Sequence, residues 1–265
     1  GPGTDARGLG EGLPVTRLGL LPPAHRIYLI HPSFMKALPL FSLVVALTLG
    51  AAPNAGLKPV WEDNFDAKDY DLKKNWSVSG QVRVVDGKLQ LDVTPKDKAG
   101  FWNSCNARTS QFTHGQGYFE ASIRAVQTKN RGWTVFGIRN QKMEVVPSAS
   151  LYFVFNGADR IEPVLNIVDE AGSHRLAPKE KVIAMDGGKS YKKFLTYGLQ
   201  WTATSYVWYV EGRQVHKLSR PIPKEPMYLE FYQHLPEGGL LKDFMNPKLG
   251  PEPMQIDWVK VFKIP

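Results

Sequence analysis

The chain has almost no cysteine: Cys105 is the only one in 265 residues. No disulfide can close within it, so a packed core must hold the fold. Cys105 itself is expected to lie in a strand as a small buried hydrophobe. No apolar run is long enough to span a bilayer. The longest, 37–49, is shorter than the roughly 20 residues a spanning helix needs, which argues against a stable membrane span in the mature chain. Blocks of like charge are also missing. The formal charge of +8 comes from 33 basic and 25 acidic side chains that are scattered, so a solvated basic surface is expected and nucleic acid is not an expected partner. No His/Cys/Asp cluster has transition-metal spacing, and no repeat, linker or low-complexity tract follows Gly56.

What is present begins with a targeting pattern. Met35 is the first methionine, and Met35-Lys36 leads into the apolar run and then into small residues through Gly56. A basic start, a short apolar stretch and small residues together describe a secretory signal peptide. Residues 1–34 are rich in Gly and Pro and lack a start methionine. They are expected to be unstructured, non-native upstream translation. The expected organisation is therefore 1–34 upstream, 35–56 signal peptide with cleavage at Ala52 or Ala55, and one domain over 57–265, secreted to an extracellular or periplasmic space.

From residue 60 onward the signals are those of strands. Short runs of Val, Ile, Tyr, Phe and Trp alternate with polar residues and are cut by Gly, Asp and Asn. Asp86-Gly87 and Glu211-Gly212 each stand between two such runs, the signature of a tight hairpin. About fourteen strands and no amphipathic helix are expected, the pattern of a sandwich or barrel. All seven tryptophans follow the signal peptide. Aromatic rings beside hydrogen-bonding side chains suit the flat C–H faces and hydroxyls of sugars.

Five landmarks in order carry a resemblance. They are Trp-Glu-Asp-Asn-Phe-Asp at 61–66, Gly-Gln-Gly-Tyr-Phe-Glu-Ala-Ser-Ile-Arg at 115–124, and Phe-Leu-Thr-Tyr-Gly-Leu-Gln-Trp at 194–201 with Tyr-Val-Glu-Gly at 209–212. Pro-Met-Tyr-Leu at 226–229 and Met-Gln-Ile-Asp-Trp-Val-Lys-Val at 254–261 complete them. Together they resemble glycoside hydrolase family 16, the laminarinase, lichenase and agarase family. The resemblance implies an all-β fold, a concanavalin A-like jelly-roll sandwich of two curved antiparallel sheets, with a glycan groove across one face.

The family's catalytic motif, Glu-x-Asp-x-x-Glu on one groove strand, is missing. Retaining glycosidases need two carboxyl groups about 5–5.5 Å apart, which alternate strand positions and a bulge can supply. Here Ser150, Tyr152 and Phe155 replace the three acids, and the alternating face of that strand offers Ser150, Tyr152 and Val154. A second alignment makes Glu144 the only surviving nucleophile, with no general acid. A family tryptophan falls at Gly137, which removes a groove wall. Glu120 is expected to form a structural ion pair with an arginine, Glu162 to lie in a loop before Pro163, and Glu230 to stand alone in its strand.

By the resemblance, the glycan-binding side chains are Trp102, Asn106, Arg108, Trp133, Arg139, Tyr152 and Tyr232. The expected partner is a polysaccharide of the β-glucan or galactan class, bound by a catalytically inactive, lectin-like relative. The alternatives are an endo-glycosidase with displaced carboxylates, retaining if active, and a structural envelope protein. No cofactor is required. In some members of the family a structural calcium binds where the Gly87 carbonyl and Asp257 fall here.

Overall fold

The computed structural model describes residues 53–66, 68–92, 104–125, 133–140, 148–155, 160–169, 172–176, 183–184, 192–219, 225–234 and 253–265. Sixteen strands and one short helix run through them. In chain order the first are β1 (Trp61–Asp63), α1 (Leu72–Asn75), β2 (Trp76–Ser79), β3 (Gln81–Val85), β4 (Lys88–Asp92) and β5 (Cys105–Thr109). The middle of the chain forms β6 (Gly117–Arg124), β7 (Trp133–Asn140), β8 (Ser148–Phe155), β9 (Arg160–Asp169), β10 (Gly172–Leu176) and β11 (Ile183–Ala184). The last are β12 (Leu195–Trp201), β13 (Ser205–Val210), β14 (Arg213–Ser219), β15 (Met227–His234) and β16 (Met254–Phe262).

They form an all-β sandwich of two antiparallel sheets, as expected. One sheet runs β14-β13-β12-β6-β16-β4-β3 with β1 beside β16; the other runs β10-β9-β8-β7-β15-β5-β2 with β11 beside β9. Two strands more than expected are found, and α1 is a single turn that the sequence did not announce. Its four residues bury nothing, so there is no apolar face from which to read it. Asp71 caps it by accepting a hydrogen bond from the Lys73 N–H at 3.1 Å.

Period-two alternation places the core. Phe119, Ala121 and Ile123 on β6 and Leu151, Phe153 and Phe155 on β8 all join one buried cluster between the sheets. Both hairpin turns form at the expected dipeptides. Asp86 and Gly87 have φ of 50° and 68°, and Glu211 and Gly212 have 50° and 71°. Positive φ at both central residues matches the twist of the flanking strands. Cys105 is buried and free, and burial pushes its thiol pKa up to about 12, so it is an inert packing group.

Asp63 organises one end of the sandwich. Its Oδ1 accepts from the Phe65 N–H at 3.1 Å. Its Oδ2 accepts from the Trp76 Nε1–H at 2.9 Å, from Asn75 Nδ2 at 3.2 Å and from the Tyr70 hydroxyl. Phe65 is held at a φ of 57°, in the left-handed region that bulky residues avoid. Asn75-Trp76-Ser77 has the Asn-x-Ser pattern of a glycosylation acceptor, and its Asn75 Nδ2 donates to the Asp63 carboxylate.

Glu120 corrects one expectation. Its partners are the Tyr118 hydroxyl at 2.9 Å and Asn54 Nδ2 at 3.0 Å, with no arginine. It faces outward from β6, where Lys260 is its register partner across β16. Burial raises its pKa, and the two hydrogen bonds and Lys260 act against that. The stretch around Asn54 packs on this face: Leu57 adjoins the small cluster of Tyr118, Val207, Tyr209 and Phe262.

Candidate functional site

The outer face of the second sheet carries the site. Backbone register sets its side chains in rows across neighbouring strands. One row is Val164 (β9), Tyr152 (β8), Gly137 (β7), Glu230 (β15) and Arg108 (β5). On one side of it lie Asn166, Ser150, Arg139 and Tyr228, and on the other Glu162, Val154, Val135, Tyr232 and Asn106. A cleft of roughly 420 Å³ opens here, lined by Val135, Arg139, Tyr152, Val154, Val164, Asn166, Glu230 and Tyr232.

Gly137 shapes the cleft. A Cβ there would lie 1.9 Å from Cδ1 of Tyr152 and 2.6 Å from the Leu151 carbonyl oxygen. The Tyr152 ring thus occupies the space that a side chain on β7 would need. The expectation that Gly137 removes a groove wall is corrected in this sense: the neighbouring strand fills the gap with its own aromatic. From the opposite sheet, the Trp208 indole N–H donates to the Tyr152 carbonyl at 2.8 Å, which fixes β8 from behind. Ser150 hydrogen-bonds the Tyr152 side chain. Burial and the Glu230 charge push the Tyr152 phenol well above its ordinary pKa, so it remains a neutral donor throughout the physiological range.

Glu230 lies at the centre and is buried. Its Oε1 accepts from Asn106 Nδ2 at 2.5 Å, and its Oε2 pairs with Arg139 at 3.3 Å. Arg139 stays charged: burial opposes its charge, but the Tyr152 and Glu230 oxygens outweigh that and raise its pKa. The guanidinium carbons of Arg108 and Arg139 lie 5.6 Å and 5.8 Å from the Tyr228 ring centroid, within cation–π range.

Five of the expected binding residues, Asn106, Arg108, Arg139, Tyr152 and Tyr232, share this face. Trp133 starts β7 opposite His234, and nothing further is described of its side chain. Trp102 and Glu144 lie outside the described residues. Of the motif positions, Ser150 and Tyr152 face the cleft, but Phe155 does not. Pairing of β7 with β8 is continuous from Arg139↔Ser150 to Thr134↔Phe155, so no bulge turns residue 155 outward and its ring enters the core.

Sequence reasoning missed Glu230 as the centre of the site, and also Tyr228, Asn166 and Glu162. Alternation held the signal, since Tyr228, Glu230 and Tyr232 share one phase. Glu162 is in strand β9 and not a loop, directly opposite Val154. Pro163 is tolerated because β10 pairs β9 over Leu165–Asp169 and β11 pairs it over Arg160–Ile161. Among the described residues, none pairs the stretch around Pro163 on that edge to miss its N–H.

The profile of the family described as Glycosyl hydrolases family 16 matches residues 69–260. The chain belongs to glycosyl hydrolase family 16. A β-glucanase of Bacillus amyloliquefaciens is 25% identical over 248 residues, covering 89% of this chain and 98% of its own. A xylanase/β-glucanase of Ruminococcus flavefaciens is 29% identical over 170 residues, 61% of this chain, and the aligned part spans only 20% of that longer protein. Among solved structures, the catalytic domain of a Thermotoga petrophila endo-1,3-β-glucanase (laminarinase) superposes with a TM-score of 0.62 at 15% identity, over 78% of this chain and 98% of its own. The Bacillus licheniformis β-glucanase gives 0.61 at 18% identity, over 77% and 97%. These likenesses place the two sheets as a family 16 jelly roll.

Within that family 16 frame, the described carboxylates do not form a retaining pair. Glu162 and Glu230 share the outer face but lie three strands apart, about 14 Å at ~4.8 Å per strand, against 5–5.5 Å for retaining chemistry and 6.5–9.5 Å for inverting. The expected calcium ligands fit poorly. The Asp257 carboxylate lies 4.0 Å from the Lys88 ammonium, which competes for it, and calcium takes six to eight oxygens. Among the described residues no three His, Cys, Asp or Glu side chains gather as for a metal. No helix of the described residues is long and apolar enough to cross a membrane.

Proposed function

We propose that this family 16 chain is a secreted protein that binds a polysaccharide of the β-glucan or galactan class across the outer face of its second sheet without cleaving it. One observation carries the reading. The central carboxylate, Glu230, has one oxygen on Asn106 and the other on Arg139, and the other described carboxylate of this face, Glu162, is three strands away, too far to complete a catalytic pair. Tyr152 and Tyr232 offer ring surface, and Asn166 a hydrogen-bonding group. Secretion rests on the signal-peptide pattern of 35–56. Because Asn54 bonds Glu120 at 3.0 Å, cleavage after Ala52 suits the fold better than cleavage after Ala55.

The test is reducing-end release together with pull-down on laminarin, lichenan, agarose and carrageenan, using protein recovered from the medium of an exporting host. Binding without release is expected, and Tyr152→Ala should weaken it about tenfold. The intact mass should correspond to a chain starting at Pro53.

A second reading is an active endo-glycosidase. It is favoured by the relatives named as β-glucanases and a laminarinase, with Glu144 as its nucleophile. Release that vanishes in Glu144→Gln would establish it and sink the first. Neither binding nor release would favour a structural envelope protein.

A further inference from the structure

We infer that the cleft selects a glycan bearing an anionic group, carboxylate or sulfate, which docks between the Arg108 and Arg139 guanidinium groups beside Tyr228. This deepens the binding reading above and rests on it. Three observations support it. First, two arginines converge on Tyr228 at one side of the cleft. Arg139 is ion-paired with Glu230 at 3.3 Å. Arg108, the register partner of Glu230 on β5, is exposed and makes no ion pair within 4.0 Å among the described residues.

Second, the Arg139 Nε–H is buried with no acceptor. A guanidinium presents its donors in a planar fork that matches two oxygens of one anion. Leaving one buried donor unmet is unfavourable by itself and is relieved if a ligand oxygen arrives. Third, Tyr228 holds both guanidinium carbons within 6 Å of its ring, at 5.6 and 5.8 Å. The pair is thereby ordered before any ligand binds, and less side-chain freedom is lost on binding. Glu162 belongs to the same face but is carried by β9, beyond β8 and β7 from Glu230. The arginines beside Tyr228 lie on the β5–β15–β7 side, whereas Arg175 is carried at the opposite edge by β10, in register with Asn166; the charged sugar is placed at the Tyr228 end of the cleft.

A neutral glucan leaves Arg108 as solvated as before. An anion gains charge-assisted hydrogen bonds from exposed Arg108 and half-buried Arg139, and at Arg139 the interaction is stronger than in bulk water.

The experiment measures equilibrium binding of the whole protein to polygalacturonate, κ-carrageenan and laminarin at 50 and 300 mM NaCl. It compares wild type with Arg108→Gln, Arg139→Gln and the control Lys217→Gln, an exposed cation on β14. At least one anionic glycan should bind ten times more tightly than laminarin, and which one identifies the group as carboxylate or sulfate. Arg108→Gln should cost that glycan about tenfold while changing laminarin less than twofold, and Lys217→Gln should change neither. Arg139→Gln leaves Glu230 without its cation and need not fold well, so exposed Arg108 is the deciding variant. Equal losses in Arg108→Gln and Lys217→Gln would show general attraction of a polyanion to a basic protein and overturn the inference. Laminarin binding as tightly as both anionic glycans would also overturn it while leaving the groove reading intact. Binding of no glycan would remove both.

Discussion

Gly137→Ala is expected to destabilise the domain by about 2–3 kcal/mol, at the upper end of overpacking effects, and to displace the Tyr152 ring from the cleft. Glycine is required here for space rather than for an unusual φ. The new Cβ would meet Tyr152 Cδ1 at 1.9 Å and the Leu151 carbonyl oxygen at 2.6 Å. A ring can swing away, but a carbonyl on the paired strand cannot move without parting β7 from β8. The two contacts can be separated experimentally. Thermal unfolding should show a midpoint lowered by roughly 5–10 °C for a domain of this size. The double variant Gly137→Ala/Tyr152→Ala should recover only part of the loss, because the backbone contact remains. Full recovery would mean that the strands are not closely paired there. An unchanged midpoint in the single variant would mean that the ring does not lie across Gly137.

Asp63→Asn should have an effect of similar or larger size, about 2–4 kcal/mol, because it removes charge-assisted hydrogen bonds and leaves a buried donor unmet. Four donors converge on this carboxylate: Phe65 N, Tyr70 Oη, Asn75 Nδ2 and Trp76 Nε1. An amide has one acceptor oxygen, and its NH2 group would face donors in either orientation. The left-handed Phe65 would also lose the bond that holds its N–H. Loss of the unfolding midpoint by roughly 5–15 °C is expected, with Asp63→Ala comparable and an exposed control, Asp71→Asn, changing little. A fully stable Asp63→Asn would show that the cluster is not a determinant of the fold.

Much of this fold was legible because period-two alternation is a short-range signal. Leu151, Phe153 and Phe155 could be separated from Ser150, Tyr152 and Val154 by counting. The hairpins at Asp86-Gly87 and Glu211-Gly212 were legible because few dipeptides accept two positive φ values. The site was legible in part. Asn106, Arg108, Arg139, Tyr152 and Tyr232 share one face of the second sheet.

Glu230 was dismissed as solitary because its partners lie on other strands. Asn106 is 124 positions away and Arg139 is 91, and no local pattern encodes that meeting. Phe155 was misassigned because a motif spacing presupposes a bulge, and bulges are set by pairing with a neighbour. Glu162 was misplaced because Pro163 reads as a strand breaker until the continuous pairing of β9 with β8 is seen.

The order of manufacture adds a consequence of the sheet order. The last of the described strands to be made, β16, lies in the middle of the first sheet, between β6 and β4, and also pairs β1. Until residues 254–262 leave the ribosome, β1, β3 and β4 have no bridge to β6, and half the sandwich cannot close. A growing chain therefore remains incomplete until β16 has been made, as expected where contacts are distant in sequence. Nascent chains arrested before Met254 should be digested readily by added protease, and those extended past Pro265 on a tether should resist it. Such lateness would suit the secretion proposed above, in which the chain crosses a membrane before it closes.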